Sequence, residues 1–514
     1  MKKKETKIIT ILSLIIFLLA FLLSNRLWFR VDMTKNKAYT ISEVSRMLHR
    51  EITDIATITY FISPRLRALH PMPGLIADQL REYAAHSRGR VRFIQRDPAG
   101  LGRRLEELGI MPWQIQVTER NETIHATVYS GILIEYLGRE SVIPLVFSLD
   151  TLEYDISSRL RSLVRNTSRE IGIIVGDAHL DWHRDYALLN HALLLSGFLP
   201  RVIEPGSAIP ITLPALFVLG GTEDLDIFDL FPIDEYIMNG GNVLFALNGV
   251  FVDSLGVFDT WIMQDMGLLA MLANYGVIVR QALALDISAL ALTFQTHGAG
   301  GTQVQTVRYP HWIAVQEQPG VNHPVSFRSP GLDLFWPSPL ELVPPPGVNA
   351  EIIFSSSPEA WLQTERFVTN PNWISQFEDE RDRTGGTKVL SASLSGNFPS
   401  AFASPHSPLP TPHSRIIVVG DVNFAGHLMQ TTNSEERNLE FFIRSAEWLS
   451  GGEDLLALRG RETMPGRLDR ISDPEARDAV MAFSRFTNTV FIPLSVIIAG
   501  FIICKRRKKN EVQK

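Results

Sequence analysis

The chain has 514 residues, 45% of them apolar and 20% charged, which is too long for one small core and too apolar for wholesale disorder. Its single cysteine, Cys504, excludes an internal disulfide, a four-cysteine zinc site and Cys-x-x-Cys redox chemistry. The net charge is −6, but residues 1–7 and 505–514 take ten cations and two anions from the totals of 49 and 55, so the stretch between them carries −14 and does not read as a general nucleic-acid surface.

The basic stretch 1–7 leads into residues 8–23, which contain no charge, Pro or Gly. Trp28 and Phe29 can sit at lipid headgroups, so 8–29 is expected to be a transmembrane anchor. A cleaved signal peptide is the competing reading, although Leu23-Ser24-Asn25-Arg26 offers no small-x-small cleavage site. Residues 30–150 read as a small α/β domain. It has a strand at 55–62 (IATITYFI), a helix at 75–85, a strand at 90–95 closed by Asp97-Pro98, and a short helix at 101–108 capped by Gly109. Strands follow at 115–117 and 123–136, the latter bent at Gly131, and then a connecting helix at 149–164.

Residues 151–450 read as a doubly wound α/β domain. The runs 171–175 (IGIIV) and 215–219 (ALFVL) are continuous apolar strands of the kind buried on both faces of a parallel sheet, 242–247 (NVLFAL) is a third strand, and 351–354 and 415–419 (RIIVV) supply further strands. Helices are expected at 186–195, 234–239 and 263–275, and Gly-, Pro- and Ser-rich loops at 297–306, 337–348 and 398–414. A polar tether, 451–485, leads to a second apolar run, 486–504, that stops at five consecutive cations from Lys505 to Lys509. Basic flanks at both ends predict that 486–504 is a second transmembrane helix and that 1–7 and 505–514 are cytoplasmic. The body would then lie on the periplasmic or extracytoplasmic side of a bacterial inner membrane.

Several short motifs fall in one order along the chain. Residues 31–42 read VDMTKNKAYTIS; Tyr60-Phe61-Ile62-Ser63 precedes Asp97-Pro98; Tyr236-Ile237-Met238-Asn239-Gly240-Gly241 closes a helix. Asn322-His323-Pro324-Val325, then Val418-Val419-Gly420-Asp421-Val422-Asn423-Phe424, then Asn438, Phe441-Phe442, Trp448-Leu449 and Arg459 complete the series. With these residues the chain resembles, nearly end to end, the auxiliary component of the gliding-motility type of ABC transport system. The family often has Gly-His-Gly-Glu after the IGIIV strand, where this chain has Gly176-Asp177-Ala178-His179. The resemblance implies a membrane-anchored subunit with an amidotransferase-like, flavodoxin-like domain, partnered by a separate permease and ATPase.

The densest set of potential ligands is Asp177, His179, Asp181, His183 and Asp185, just past the end of a strand, where open α/β sheets place their sites. Asp-Ala-His-x-Asp mimics a manganese motif of ureohydrolases, but no second aspartate-rich strand end accompanies it, so a polar loop capping the next helix is preferred. Asp421, at the end of the RIIVV strand, is a further ligand or partner candidate. Asp32, Thr34, Tyr39 and Thr40 are candidates for docking a permease. An amidotransferase needs a Cys on a strand–helix elbow, and Cys504 lies in an apolar run. No Gly-x-Ser-x-Gly elbow and no Walker A sequence occur. These readings predict a non-enzymatic subunit with no cofactor and no bound metal. The alternative is a membrane-tethered metal-dependent hydrolase, or a metal-binding sensor, built on the 177–183 loop.

Overall fold

The structure, a computed structural model, describes residues 41–459 apart from 120–121, 254–257, 299–300, 317–322, 378–383 and 403–411, with a few isolated residues from 483 to 494. The chain divides into two units, Ile41–Arg461 and a second made of Met1–Thr40 with Glu462–Lys514. Nearly all described residues belong to the first.

That unit contains two main sheets. The smaller has four strands in the order Val91–Arg96, Ala56–Ile62, Ser130–Tyr136, Arg139–Ile143, with only the first pair parallel. The chain leaves the two-stranded hairpin Trp113–Glu119/Glu122–Val128 at Val128 and enters this sheet at Ser130, so the break falls at Tyr129 rather than as a bend at Gly131. The hydroxyl of Tyr60 meets Ser130 Oγ at 3.0 Å beneath this sheet.

The larger sheet has nine strands and is mixed. Five are parallel, in the spatial order Leu199–Val202, Glu170–Val175, Ala215–Leu219, Val243–Ala246, Ser414–Val419. Numbered along the chain this is the order 2-1-3-4-5. Antiparallel strands Val389–Gly396, Leu340–Leu342 and Val277–Val279 extend it, and Val348–Ser355 also pairs with Val389–Gly396. The central parallel strands carry no polar side chain over 171–175, 215–219, 243–246 and 416–419 because both faces are covered there, whereas the edge strand Leu199–Val202 includes exposed Arg201. Ile173, Phe217, Leu244 and Ile417 face one core, with Leu189 and Leu193 of helix Ala187–Leu195 and Phe441 and Phe442 of helix Glu435–Leu449. Ile174, Val218, Phe245 and Val418 alternate onto the other, against Ile233 and Ile237 of helix Ile227–Met238 and Leu268 and Leu272 of helix Leu268–Tyr275.

Three expected elements take different bounds for identifiable reasons. The helix expected at 234–239 starts at Ile227, because Asp226 and Asp229 form a capping box that outweighs Pro232 inside the helix. The one expected from 263 starts at Leu268, where Asp265 caps the amides of Gly267, Leu269 and Ala270. The loop expected at 297–306 lies within a long hairpin, Ala289–Gly298 paired with Gly301–Val315.

The expectation of a transmembrane helix at each end is corrected. A span needs about 20 apolar residues, and among the described residues no helix is long and apolar enough to cross a membrane. Helix Glu435–Leu449 has 15 residues and carries six charges, Glu435, Glu436, Arg437, Glu440, Arg444 and Glu447. Residues 8–29 and nearly all of 486–504 lie outside the described residues. The described fold is therefore mixed α/β.

Helix Leu152–Arg165 joins the two sheets, and charged side chains lock it there. Ser42 caps helix Glu43–Glu51 through Ser45 N, and both Ser42 N and Ser45 Oγ donate to Glu153 at 2.7 Å. The buried Glu447 carboxylate accepts from Tyr154 Oη at 2.7 Å, Arg169 at 3.0 Å and Arg161 at 3.2 Å. Arg161 also reaches Asp454 at 2.6 Å on helix Glu453–Arg459. Leu455 and Leu458 of that last helix pack on Tyr154 and Val44.

Candidate functional site

Three of the parallel strands end in glycines, Gly176, Gly220 and Gly420, that let the sheet's carboxyl edge close up. A Cβ on Gly176 would lie 2.6 Å from Gly221 Cα, and one on Gly220, whose φ is +76°, would lie 2.2 Å from an Asp177 carboxylate oxygen. Only glycine fits both places. Just beyond lies a crevice of about 810 Å³. It sits over the ends of the Glu170–Val175 and Ala215–Leu219 strands, where the strand order reverses and where open α/β sheets bind ligands.

Carboxylates line this crevice and occupy its backbone amides. Asp177 Oδ1 accepts from Gly221 N at 2.8 Å, and Asp224 Oδ2 accepts from Ala178 N at 2.8 Å, so the two strand-end loops clasp each other. Burial raises the Asp177 pKa, against the opposing pull of the Gly221 amide. Glu223 accepts from Gln264 N at 2.9 Å and from Trp261 Nε1 at 3.4 Å. Trp261 stacks on Phe251 across the small hairpin Val250–Val252/Thr260–Ile262, with centroids 4.0 Å apart and planes at 21°, and remains 46% exposed. The opposite wall is the segment from Val422 to Gln430, including His427. Asn248 ties the floor to that wall by accepting from Val422 N at 2.7 Å and donating to Trp336 O at 3.3 Å. The Thr222 hydroxyl is buried and donates to Asn248 O.

Asp177 and His179 line the crevice, whereas Asp181 and His183 do not. Asp181 caps the short helix Trp182–Asp185 by accepting from His183 N at 3.0 Å and Arg184 N at 2.9 Å. His183 is exposed on that helix. Asp421 is fully buried beside the crevice. Its carboxylate accepts from Phe335 N and Asn423 N, both at 2.7 Å, and burial pushes its pKa up to about 7. Asp421 thus joins the Leu332–Phe335 strand to the end of Ser414–Val419 and presents no free oxygen to a ligand. Among the described residues, no group of three or more His, Cys, Asp or Glu side chains could hold a metal ion. Asp32, Thr34, Tyr39 and Thr40 lie outside the described residues.

The sequence motifs after residue 418 are packing devices. Asn438 is buried, accepts from Asp333 N at 3.0 Å and donates to Asp333 O and Phe424 O. Phe424 stacks on Phe442 at 4.7 Å, and Trp448 lies between His323 and the Arg415 guanidinium. Glu223, Asp224, Trp261 and His427 went unnoticed in the sequence. The one local signal for them is Gly220-Gly221 closing an apolar strand, which marks the next residues as a strand-end loop.

The family described as ABC-type uncharacterized transport system matches residues 168–445, and a domain of unknown function matches 35–135. An uncharacterized protein of Borreliella burgdorferi is 26% identical over 99% of this chain and 100% of its own length. Among solved structures, an exo-beta-1,4-mannosidase from an Opitutaceae bacterium aligns with 74% of this chain at 10% identity and a TM-score of 0.24. This chain spans about half, 49%, of that enzyme.

Proposed function

The chain belongs to the family described as ABC-type uncharacterized transport system, and from that membership we propose a non-enzymatic auxiliary component that binds a substrate or a partner and works with a separate permease and ATPase, as in the gliding-motility type of system. The observation that carries this reading is a coincidence of extent. The family match, 168–445, contains both walls of the strand-end crevice, from Asp177 to Gln430.

The lining chemistry supports binding over turnover. Among the described residues the crevice presents no Ser, Cys or Lys; of its buried hydroxyls, that of Thr222 is committed to a backbone carbonyl and that of Tyr186 is held protonated by burial. A nucleophile needs a base within hydrogen-bond reach, and none stands beside Thr222 among its hydrogen-bond partners. The proposal places the body outside the cytoplasm at the cell membrane. A reporter inserted at the Gly206 turn checks that placement, and cytoplasmic activity of the reporter refutes it.

Affinity purification of the full chain in mild detergent tests the partnership. Recovery of one permease and one ATPase in fixed ratio is the expected result. A chain that purifies alone, with both genes expressed, overturns the proposal.

A further inference from the structure

Doubly wound sheets ordinarily offer the free amides of their strand-end loops to phosphate or another anion. Here the chain's own carboxylates fill those positions: Asp177 holds Gly221 N and Asp224 holds Ala178 N. The crevice is therefore supplied with negative charge where related folds leave it receptive to negative charge. Among the described residues, the one Lys or Arg in its lining, Arg184, is paired with Asp185 at 2.8 Å. Among the described residues, no ion pair involves Glu223 or Asp224. Beside Glu223 stands the half-exposed indole of Trp261, fixed from behind by Phe251.

An aromatic face with carboxylates around it is the chemistry that recognises an ammonium or guanidinium group with an apolar body. A bare divalent ion fits less well, because among the described residues no three ligands converge. We propose that the strand-end crevice binds a small organic cation, setting its charged group against the Trp261 face and the Glu223 and Asp224 carboxylates. This deepens, and rests on, the reading of the crevice as the place where the auxiliary component takes its ligand.

Titration calorimetry on the full chain tests the class directly. The cationic probes are choline, spermidine and arginine amide; dimethylbutanol is the uncharged isostere of choline, and inorganic phosphate is the anion. At least one cation binds, more weakly as salt is raised, while dimethylbutanol and phosphate do not. Trp261→Ala weakens the bound cation about tenfold, and the pair Glu223→Gln with Asp224→Asn weakens it at least as much. Circular dichroism confirms that each variant is folded; Trp261 is half exposed, so its loss leaves the core intact. Binding of dimethylbutanol or phosphate as tightly as the best cation, unchanged affinity in the folded Trp261→Ala variant, or no binding by any of the three cations overturns the proposal. The same preparations, taken through the permease and ATPase purification, separate the two readings. Copurification without cation binding sinks the ligand class alone. Cation binding without copurification sinks the transport partnership alone.

Discussion

Glu447→Gln probes the hinge between the two sheets with an almost isosteric change. The Glu447 side chain is 1% exposed and receives Tyr154, Arg169 and Arg161. Arg161 keeps a second carboxylate, Asp454. Arg169 keeps only the carbonyls of Gly197 and Ser196, at 3.2 and 3.4 Å, and the ring of Phe198 at 4.0 Å. Burial pulls the Arg169 pKa down, and the Glu447 carboxylate together with Tyr154 more than offsets that, so it is held above its ordinary value. Glutamine removes the counter-charge and strands a guanidinium that is only 12% exposed. Breaking one side of a buried pair costs about 3–5 kcal/mol. The residual exposure and the two carbonyls place the expected loss near the lower figure, about 3 kcal/mol. Urea unfolding of the full chain, followed by far-UV circular dichroism, reads the shift in midpoint. Arg169→Met combined with Glu447→Gln should recover about 2 kcal/mol of the summed single losses, because the pair is then removed together. A Glu447→Gln change under about 0.5 kcal/mol, or strict additivity in the cycle, refutes the idea that this carboxylate holds the junction.

Acid stability follows from buried histidines. Burial lowers the pKa of His311 to about 3, and of His49 and His323 to about 4. Each folded-state value lies below the ordinary 6.5, so the unfolded chain binds more protons, and their contribution is lost as pH falls from about 6.5 towards 3–4. His311→Gln should flatten that part of a melting-temperature profile; an unchanged slope refutes the assignment. Asp421 acts with the opposite sign. Its value near 7 is raised above the unfolded one, so its cost to stability grows as pH rises from about 4 to 7. Asp421→Asn should therefore reduce the fall in stability over that window, seen in the same melts. Gly176→Ala brings a methyl group within 2.7 Å of the Gly220 and Gly221 backbone. It should cost about 2 kcal/mol by urea unfolding, and a wild-type midpoint would show that the strand ends separate freely. Asn438→Ala leaves the buried Asp333 N and Phe424 O unpartnered. A loss of about 2–3 kcal/mol is expected, with hydrogen exchange rising at Asp333; unaltered protection there counts against it.

Four of the five parallel strands were legible because both faces of the sheet are covered, so IGIIV, ALFVL, VLFA and IIVV carry no polar side chain. The run 351–354 belongs to an antiparallel strand, and the edge strand Leu199–Val202, with Pro200 and exposed Arg201, was not legible. The Ala289–Gly298/Gly301–Val315 hairpin was not, since its tip is glycine-rich and its alternation is of Thr, Gln and Val rather than of strongly apolar residues. Ser391 and Ser393 obscured the Val389–Gly396 strand, where small hydroxyl side chains are buried instead of branched ones. At the crevice, one wall could be read from Gly176-Asp177-Ala178-His179 because it is continuous in sequence. The other walls lie more than 40 and more than 240 residues further on, at Glu223 and at Val422. They meet Asp177 only through the sheet's crossovers. Asp181 and His183 looked equivalent to Asp177 by spacing, but the four-residue helix that begins at Trp182 turns them outward.

The last described helix and the first meet in one apolar cluster, Leu455 and Leu458 with Val44, around Tyr154 of helix Leu152–Arg165. The polypeptide thus enters and leaves its body at neighbouring points. A pull applied between the two described ends would load this small cluster before it reached either sheet.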